Sequence, residues 1–313
     1  MRVFFALFGL CVFLSPNLTR AQEPIATVPF YFTDDGAMAV AVTIDGRGPY
    51  DFIIDTGATL TLAFENLAMR ESFVATGAPP RRVIGITGSA IRDTYRIGDI
   101  AIGPAIMRQH VGVILDDWSP PRKTPHGILG IDFFRRYAVV FDVRARTMSF
   151  YPHGGLPKKK ISGWRAIRLK QQTYAAASGA LYTTPGFVNR SPTTFIIDLG
   201  SLSTLLNYEA AEAIFANTVS IGSSRSMVSG SRLKDVFDDR AQTRSGAIDR
   251  IQVGPATWRK VLVWLKDAAI FAELGVANRP YGLLGADLIA TQNFALDFGE
   301  NRLYISKINQ NRR

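Results

Sequence analysis

One pattern occurs twice in this chain and constrains its fold more than any other feature: Phe52-Ile53-Ile54-Asp55-Thr56-Gly57 and Phe195-Ile196-Ile197-Asp198-Leu199-Gly200. Three consecutive apolar residues read as a buried strand. The Asp-x-Gly that follows places a carboxylate and a flexible turn where that strand stops. Writing the arrangement twice implies two copies of one structural plan. Carboxylates on related units can meet at a pseudo-twofold axis between them.

The rest of the chain follows the same duplication. Before each motif two strand-like runs flank a turn: residues 39–44 and 50–54 around Asp45-Gly46-Arg47-Gly48-Pro49, then 181–189 and 193–197 around Arg190-Ser191-Pro192. Gly and Asp in such a turn are hairpin signals. Downstream, Ile100-Ala101-Ile102-Gly103-Pro104-Ala105 matches Ile251-Gln252-Val253-Gly254-Pro255-Ala256, each followed by apolar strand material. Then Gly127-Ile128-Leu129-Gly130-Ile131-Asp132 matches Gly282-Leu283-Leu284-Gly285-Ala286-Asp287. A short helix is expected to start at Asp132 and at Asp287, because aspartate is a good N-cap. Strands over 137–143 and 294–298, then 147–151 and 302–306, are expected to finish each unit. Asp142 and Asp297 recur in these strands and read as strand-end residues. The clearest helix spans 207–217, with Glu209 and Glu212 early in it. Between the copies, His153-Gly154-Gly155-Leu156-Pro157-Lys158-Lys159-Lys160 reads as an exposed connector.

Residues 1–21 read as a signal peptide. A short positive start precedes an apolar run too short to span a bilayer comfortably, and Thr19-Arg20-Ala21 offers a cleavage site. An uncleaved membrane anchor is the alternative. The only cysteine, Cys11, lies within that run. A mature chain without disulfides must rely on its own core, which suits a bacterial periplasm. The formal charge of +10 is scattered over the chain, with one lysine run at 158–160 and no nucleic-acid motif beside it. A solvated basic surface accounts for it. The mature chain has no cysteine nucleophile. His110, His126 and His153 lack metal-ligand spacing and a serine-nucleophile setting, so they read as structural or surface residues.

On Asp55-Thr56-Gly57, Asp198-Leu199-Gly200 and the downstream Ile128-Leu129-Gly130 and Leu283-Leu284-Gly285, the chain resembles the pepsin and retropepsin group of aspartic proteases. It is most similar to exported bacterial members that carry two retropepsin-like units in one chain. The resemblance implies a mainly β, bilobal acid-protease fold made of two β-barrel lobes with short helices. The lobes are expected at 22–155 and 161–313, joined by a linker at 156–160. It implies Asp55 and Asp198 as catalytic residues, with Thr56, Gly57, Ala58, Gly200 and Ser201 supporting their loops. It also implies a glycine-rich flap at Ile84-Gly85-Ile86-Thr87-Gly88-Ser89-Ala90, with Gly85, Ile86, Thr87 and Gly88 touching substrate. A hairpin tip that moves over a substrate calls on glycine's φ freedom, although a plain turn would look the same. Val228-Ser229-Gly230-Ser231 is the weaker candidate for a second flap.

The expected activity is peptide-bond hydrolysis by a water that the two aspartates activate, with no metal or cofactor. The expected partner is a peptide or protein substrate, with no nucleic acid and no stable membrane anchor after signal cleavage. One chain supplies both aspartates, so a monomer is expected, periplasmic or secreted. Two departures bear on activity. Leu199 stands where the family has Thr or Ser, whose paired hydroxyls brace the lobe junction. Ala58 and Ser201 differ after the two motifs, and a Ser201 hydroxyl bonded to its carboxylate would favour the charged form of Asp198. The alternative is a non-catalytic peptide- or protein-binding relative whose dyad Leu199 impairs.

Overall fold

The computed structural model of the chain describes residues 23–86, 88–118, 124–174, 179–216, 228–234 and 240–307; the side chains of 213–216, 228–234 and 240–243 are outside the description. The segment read as a signal peptide lies outside it too. The protein is mainly β, with two six-stranded barrels of matching order. Around the first run Met38–Ile44, Arg47–Ile54, Gly127–Leu129, Leu62–Phe64, Ala105–Leu115 and Thr94–Ile102, and the pair Ile44↔Ile100 closes the ring. Around the second run Ala180–Val188, Ser191–Ile197, Tyr281–Leu284, Leu205–Leu206, Ala256–Leu265 and Arg240–Val253, closed by Val188↔Ile251.

Local chemistry sets the hairpins. Asp45 and Gly46 both take positive φ, 48° and 77°, which a two-residue turn matched to strand twist requires. Asn189 takes φ 54° at the equivalent turn of the second barrel. The repeated blocks then pair with each other. Phe52, Ile53 and Ile54 run parallel to Gly127, Ile128 and Leu129, while Phe195, Ile196 and Ile197 run parallel to Gly282, Leu283 and Leu284. Strands buried on both faces carry such continuous apolar runs. Asn207 precedes the helix Tyr208–Ala216 and caps it, its Oδ1 accepting the Ala210 N–H at 3.0 Å. The expected end at Asn217 lies outside the described residues.

Two expectations are corrected by the fold. The closing strands do not finish separate lobes but build one sheet common to both. Its order is Ala26–Pro29, Thr147–Tyr151, Ala138–Asp142, Phe294–Asp297, Arg302–Ile305 and Arg165–Arg168, three strands from each half. The pseudo-twofold axis passes between Ala138–Asp142 and Phe294–Asp297, where the paired Phe141 and Phe294 rings stack at 4.4 Å. The connector is also not wholly exposed. Lys158, Lys159 and Lys160 are, but Leu156 is buried with Ala138, Val140, Tyr151 and Ala295, and Ile161 and Trp164 pack against them. One face of the shared sheet is apolar, and this segment removes it from water. His153 fixes the segment: its Nδ1 lies 3.0 Å from the buried Asp297 Oδ1 and its Nε2 lies 2.7 Å from Arg135 O.

Candidate active site

Each parallel strand pair ends on an aspartate. Asp55 N donates to Leu129 O at 3.0 Å and Asp198 N to Leu284 O at 3.1 Å, which carries the pairing one residue past the strand. The loop then curls back on the carboxylate. Gly57 N and Ala58 N donate to Asp55 Oδ1 at 2.8 and 2.9 Å; Gly200 N and Ser201 N donate to Asp198 Oδ1 at 2.9 and 3.1 Å. The two loops face each other across the axis, so that each carboxyl group lies against the other loop's glycine. Glycine is required by this approach. A β-carbon on Gly57 would lie 2.6 Å from Asp198 Cγ, and one on Gly200 would overlap the Asp55 carboxylate. The sequence pattern's Asp-x-Gly is thus one device: each aspartate is held by its own loop and covered by the other's glycine.

Thr56 ties the loops together. It is fully buried, its Oγ1 donating to Ile197 O at 2.9 Å and accepting Leu199 N–H at 3.0 Å. One threonine therefore makes both bonds of its half of the brace. Leu199 is also fully buried and belongs to the same apolar core as Ile54, Ile197 and Leu284. The hydroxyl missing at Leu199 is replaced by packing, and the polar groups Thr56 reaches are satisfied.

A second pair of threonines, not singled out from the sequence, supports both loops from behind. Thr61 Oγ1 donates to Asp132 Oδ1 at 2.6 Å and accepts Gly130 N–H at 2.9 Å; Thr204 Oγ1 donates to Asp287 Oδ1 at 2.8 Å and accepts Gly285 N–H at 3.2 Å. Each threonine sits at the same offset after its aspartate, a signal available from aligning the two copies. This corrects the expected N-caps. Gly130 and Gly285 hold the cap positions of Ile131–Phe134 and Ala286–Ile289, and Asp132 and Asp287 face the threonines from inside the first turn. His110, read as structural, is buried beside Thr61, with Nε2 2.7 Å from Thr61 O, and burial pushes its pKa down.

Burial pushes the pKa of both Asp55 and Asp198 above the ordinary aspartate value, and the Asp55 charge raises Asp198 further. Backbone N–H donors oppose this in both loops. Two close carboxylates cannot both ionise cheaply, so the titrations of the pair are tied to each other. The expected asymmetry from Ser201 is corrected. Its hydroxyl donates to Ser203 O at 2.8 Å, and only its backbone N–H reaches Asp198. Asp198, 7% exposed, is the group raised well above its ordinary value.

The dyad lines a cleft of about 950 Å³. Its walls include Ile53, Leu62, Val113 and Ile128 from the first lobe and Leu181, Trp264, Ile270 and Leu274 from the second. Ile84, Gly85 and Ile86, in the stretch read as a flap, line it from a hairpin of Arg81–Ile84 and Ser89–Arg92 with Gly85 N bonded to Gly88 O at 2.8 Å. Thr87 lies outside the described residues. Gly88 does not use its φ freedom: it is not in the left-handed region, and a β-carbon there would meet nothing within 4 Å. Val228–Ser231 is not a hairpin tip. It lies in the strand Val228–Lys234, whose register with Arg240–Val253 shifts between Ser229 and Ser231; the connection at 235–239 is outside the described residues.

A search of curated proteins finds no match to the chain. A family model described as aspartyl protease matches residues 40–133 and 184–288, one match in each half. Those two segments hold both Asp-x-Gly loops, both supporting threonines and the hairpin over 81–92, and with more than half its length so matched the chain belongs to the aspartyl protease family, as two retropepsin-like units in one polypeptide.

Proposed function

We propose that the chain is an aspartic endopeptidase in which Asp55 and Asp198 activate a water for attack on a peptide carbonyl. The observation that carries this reading is the pair itself: two carboxyl groups, each against the other loop's glycine and both raised in pKa, lining a cleft with apolar walls from both lobes. The ionised member serves as base toward the water. The protonated member gives its proton to the carbonyl oxygen, and the pair returns a proton to the leaving nitrogen. Attack by water forms the tetrahedral centre, so no covalent bond to the protein is made. The backbone donors that hold each Oδ1 leave the outer carboxyl edges for the reacting groups. Apolar walls on both sides of the dyad suit apolar side chains flanking the cleaved bond. The reading extends to an exported enzyme acting as a monomer; it rests on the sequence of residues 1–21 and on one chain carrying both aspartates.

Leu199 is the feature that favours a non-catalytic binding relative instead. The two bonds Thr56 makes across the junction weigh against an impaired dyad. Incubation with an unfolded protein, followed by mass spectrometry of new chain ends, tests the choice. The proposal expects cleavage by the parent and a loss of at least about a thousandfold in each of Asp55→Asn and Asp198→Asn, since either change removes the shared acid–base pair. Binding of the unfolded protein with no cleavage by the parent would favour the binding relative.

A further inference from the structure

The flap is tied to the opposite lobe. Ile86 O accepts the Ala269 N–H at 2.9 Å, at the start of the short helix Ala269–Glu273. At the far end of that helix, Glu273 Oε1 accepts the Ser89 hydroxyl at 2.8 Å and lies 3.3 Å from Arg82 Nη1; Arg82 Nη1 also donates to Ser89 Oγ at 2.9 Å. Between these contacts Ile84 and Ile86 pack on the apolar cluster of Ala268, Ile270, Phe271 and Leu274. Among the described residues the two flap strands pair only with each other, so no larger sheet holds them down. On its own lobe Arg92 pairs with Asp116 at 2.9 Å, near the hairpin's base.

We propose that Glu273 is a positioning residue that latches the first lobe's flap to the second lobe, and so controls how readily a peptide reaches Asp55 and Asp198. The peptide part rests on the function proposed above; the latch does not. Lifting the flap requires breaking the Ile86–Ala269 bond and exposing Ile84 and Ile86. The polar half of the latch is partly open to solvent, with Arg82 43% and Glu273 28% exposed, so it is of the modest strength suited to a contact that must open repeatedly. The carboxylate gathers the hydroxyl of one flap strand and the guanidinium of the other, so one residue senses the whole hairpin.

Residue-resolved amide exchange on the full chain tests this. In Glu273→Ala the Ala269 amide should exchange about fivefold to tenfold faster, the loss expected for one ion pair and one hydrogen bond of this exposure. Two amides should stay as protected as in the parent: Gly85, bonded within the flap, and Leu274, bonded to Ile270 O at 2.9 Å within the helix segment. Ser89→Ala should act in the same direction and less. An unchanged Ala269 rate would overturn the latch, and equal acceleration of Ala269 and Leu274 would show that Glu273 merely stabilises its helix. Kinetics with the unfolded-protein substrate read the second half: an unlatched flap lifts more readily, so KM should fall severalfold in Glu273→Ala with kcat retained, and an unchanged or raised KM would overturn control of access by the latch. A parent that shows no cleavage would count against the proposed activity, while the exchange rates would still decide the latch.

Discussion

Thr56 carries the lobe junction at the scale of single residues. Thr56→Val would strand Ile197 O and Leu199 N in the core, and we expect a loss of about 2–5 kcal/mol, with Thr56→Ser within about 1 kcal/mol of the parent. Leu199→Thr restores the family's hydroxyl yet should also destabilise, by about 1–3 kcal/mol, because the leucine fills core space that a threonine leaves empty. Urea melts of the three variants check this. Leu199 is visible in the sequence as a departure from the family pattern. That packing compensates for it is not visible there, because the side chains around a residue come from strands distant in the chain.

The dyad also leaves a mark on stability. The folded-state pKa of Asp198 lies above its ordinary 3.8, so the folded chain keeps a proton that the unfolded chain releases. Stability from this group is therefore complete below about the ordinary aspartate value and is lost as pH rises toward the raised folded value. Asp198→Asn cannot ionise and escapes that loss. It should melt higher than the parent at neutral pH, with the gap closing as pH approaches 3.8. A gap that stays constant across pH would contradict a raised folded-state pKa at Asp198.

Elements were legible where their chemistry is local. Asp45-Gly46 announces a tight hairpin turn by residue type alone, and the glycine-rich stretch at 84–90 announces the hairpin of Arg81–Ile84 and Ser89–Arg92. Partner choice was less legible. Asp132 and Asp287 look like N-caps in sequence, but glycine takes the cap in both helices and the aspartates turn to Thr61 and Thr204. The role of glycine likewise moved: Gly88 at the flap tip has open space, whereas Gly57 has none. Gly57→Ala should push the Asp198 carboxylate aside and lower kcat by about a hundredfold, as expected for a misplacement of the order of an ångström at reacting groups. Its melting temperature should change little beside that; a variant that keeps parental turnover would show that the close approach is not needed.

For the whole molecule, the duplicated motif disclosed two similar units and the pair of aspartates between them. It did not disclose the sheet that joins them. A continuous apolar run names a buried strand but not the strand that will lie alongside, so Ala138–Asp142 and Phe294–Asp297 each read as the end of a lobe when they are its junction. That junction brings the two Asp-x-Gly loops face to face, and with them two carboxyl groups whose proximity keeps them from ionising together cheaply. The most direct measurement is a pH titration of the full chain carrying 13C-labelled aspartate carboxyl groups, with Asp55→Asn and Asp198→Asn assigning the signals. One carboxyl proton should persist well above the ordinary aspartate value of 3.8, shared between Asp55 and Asp198 and released in a step that either substitution abolishes. Two signals that titrate independently near 3.8 would contradict the shared dyad.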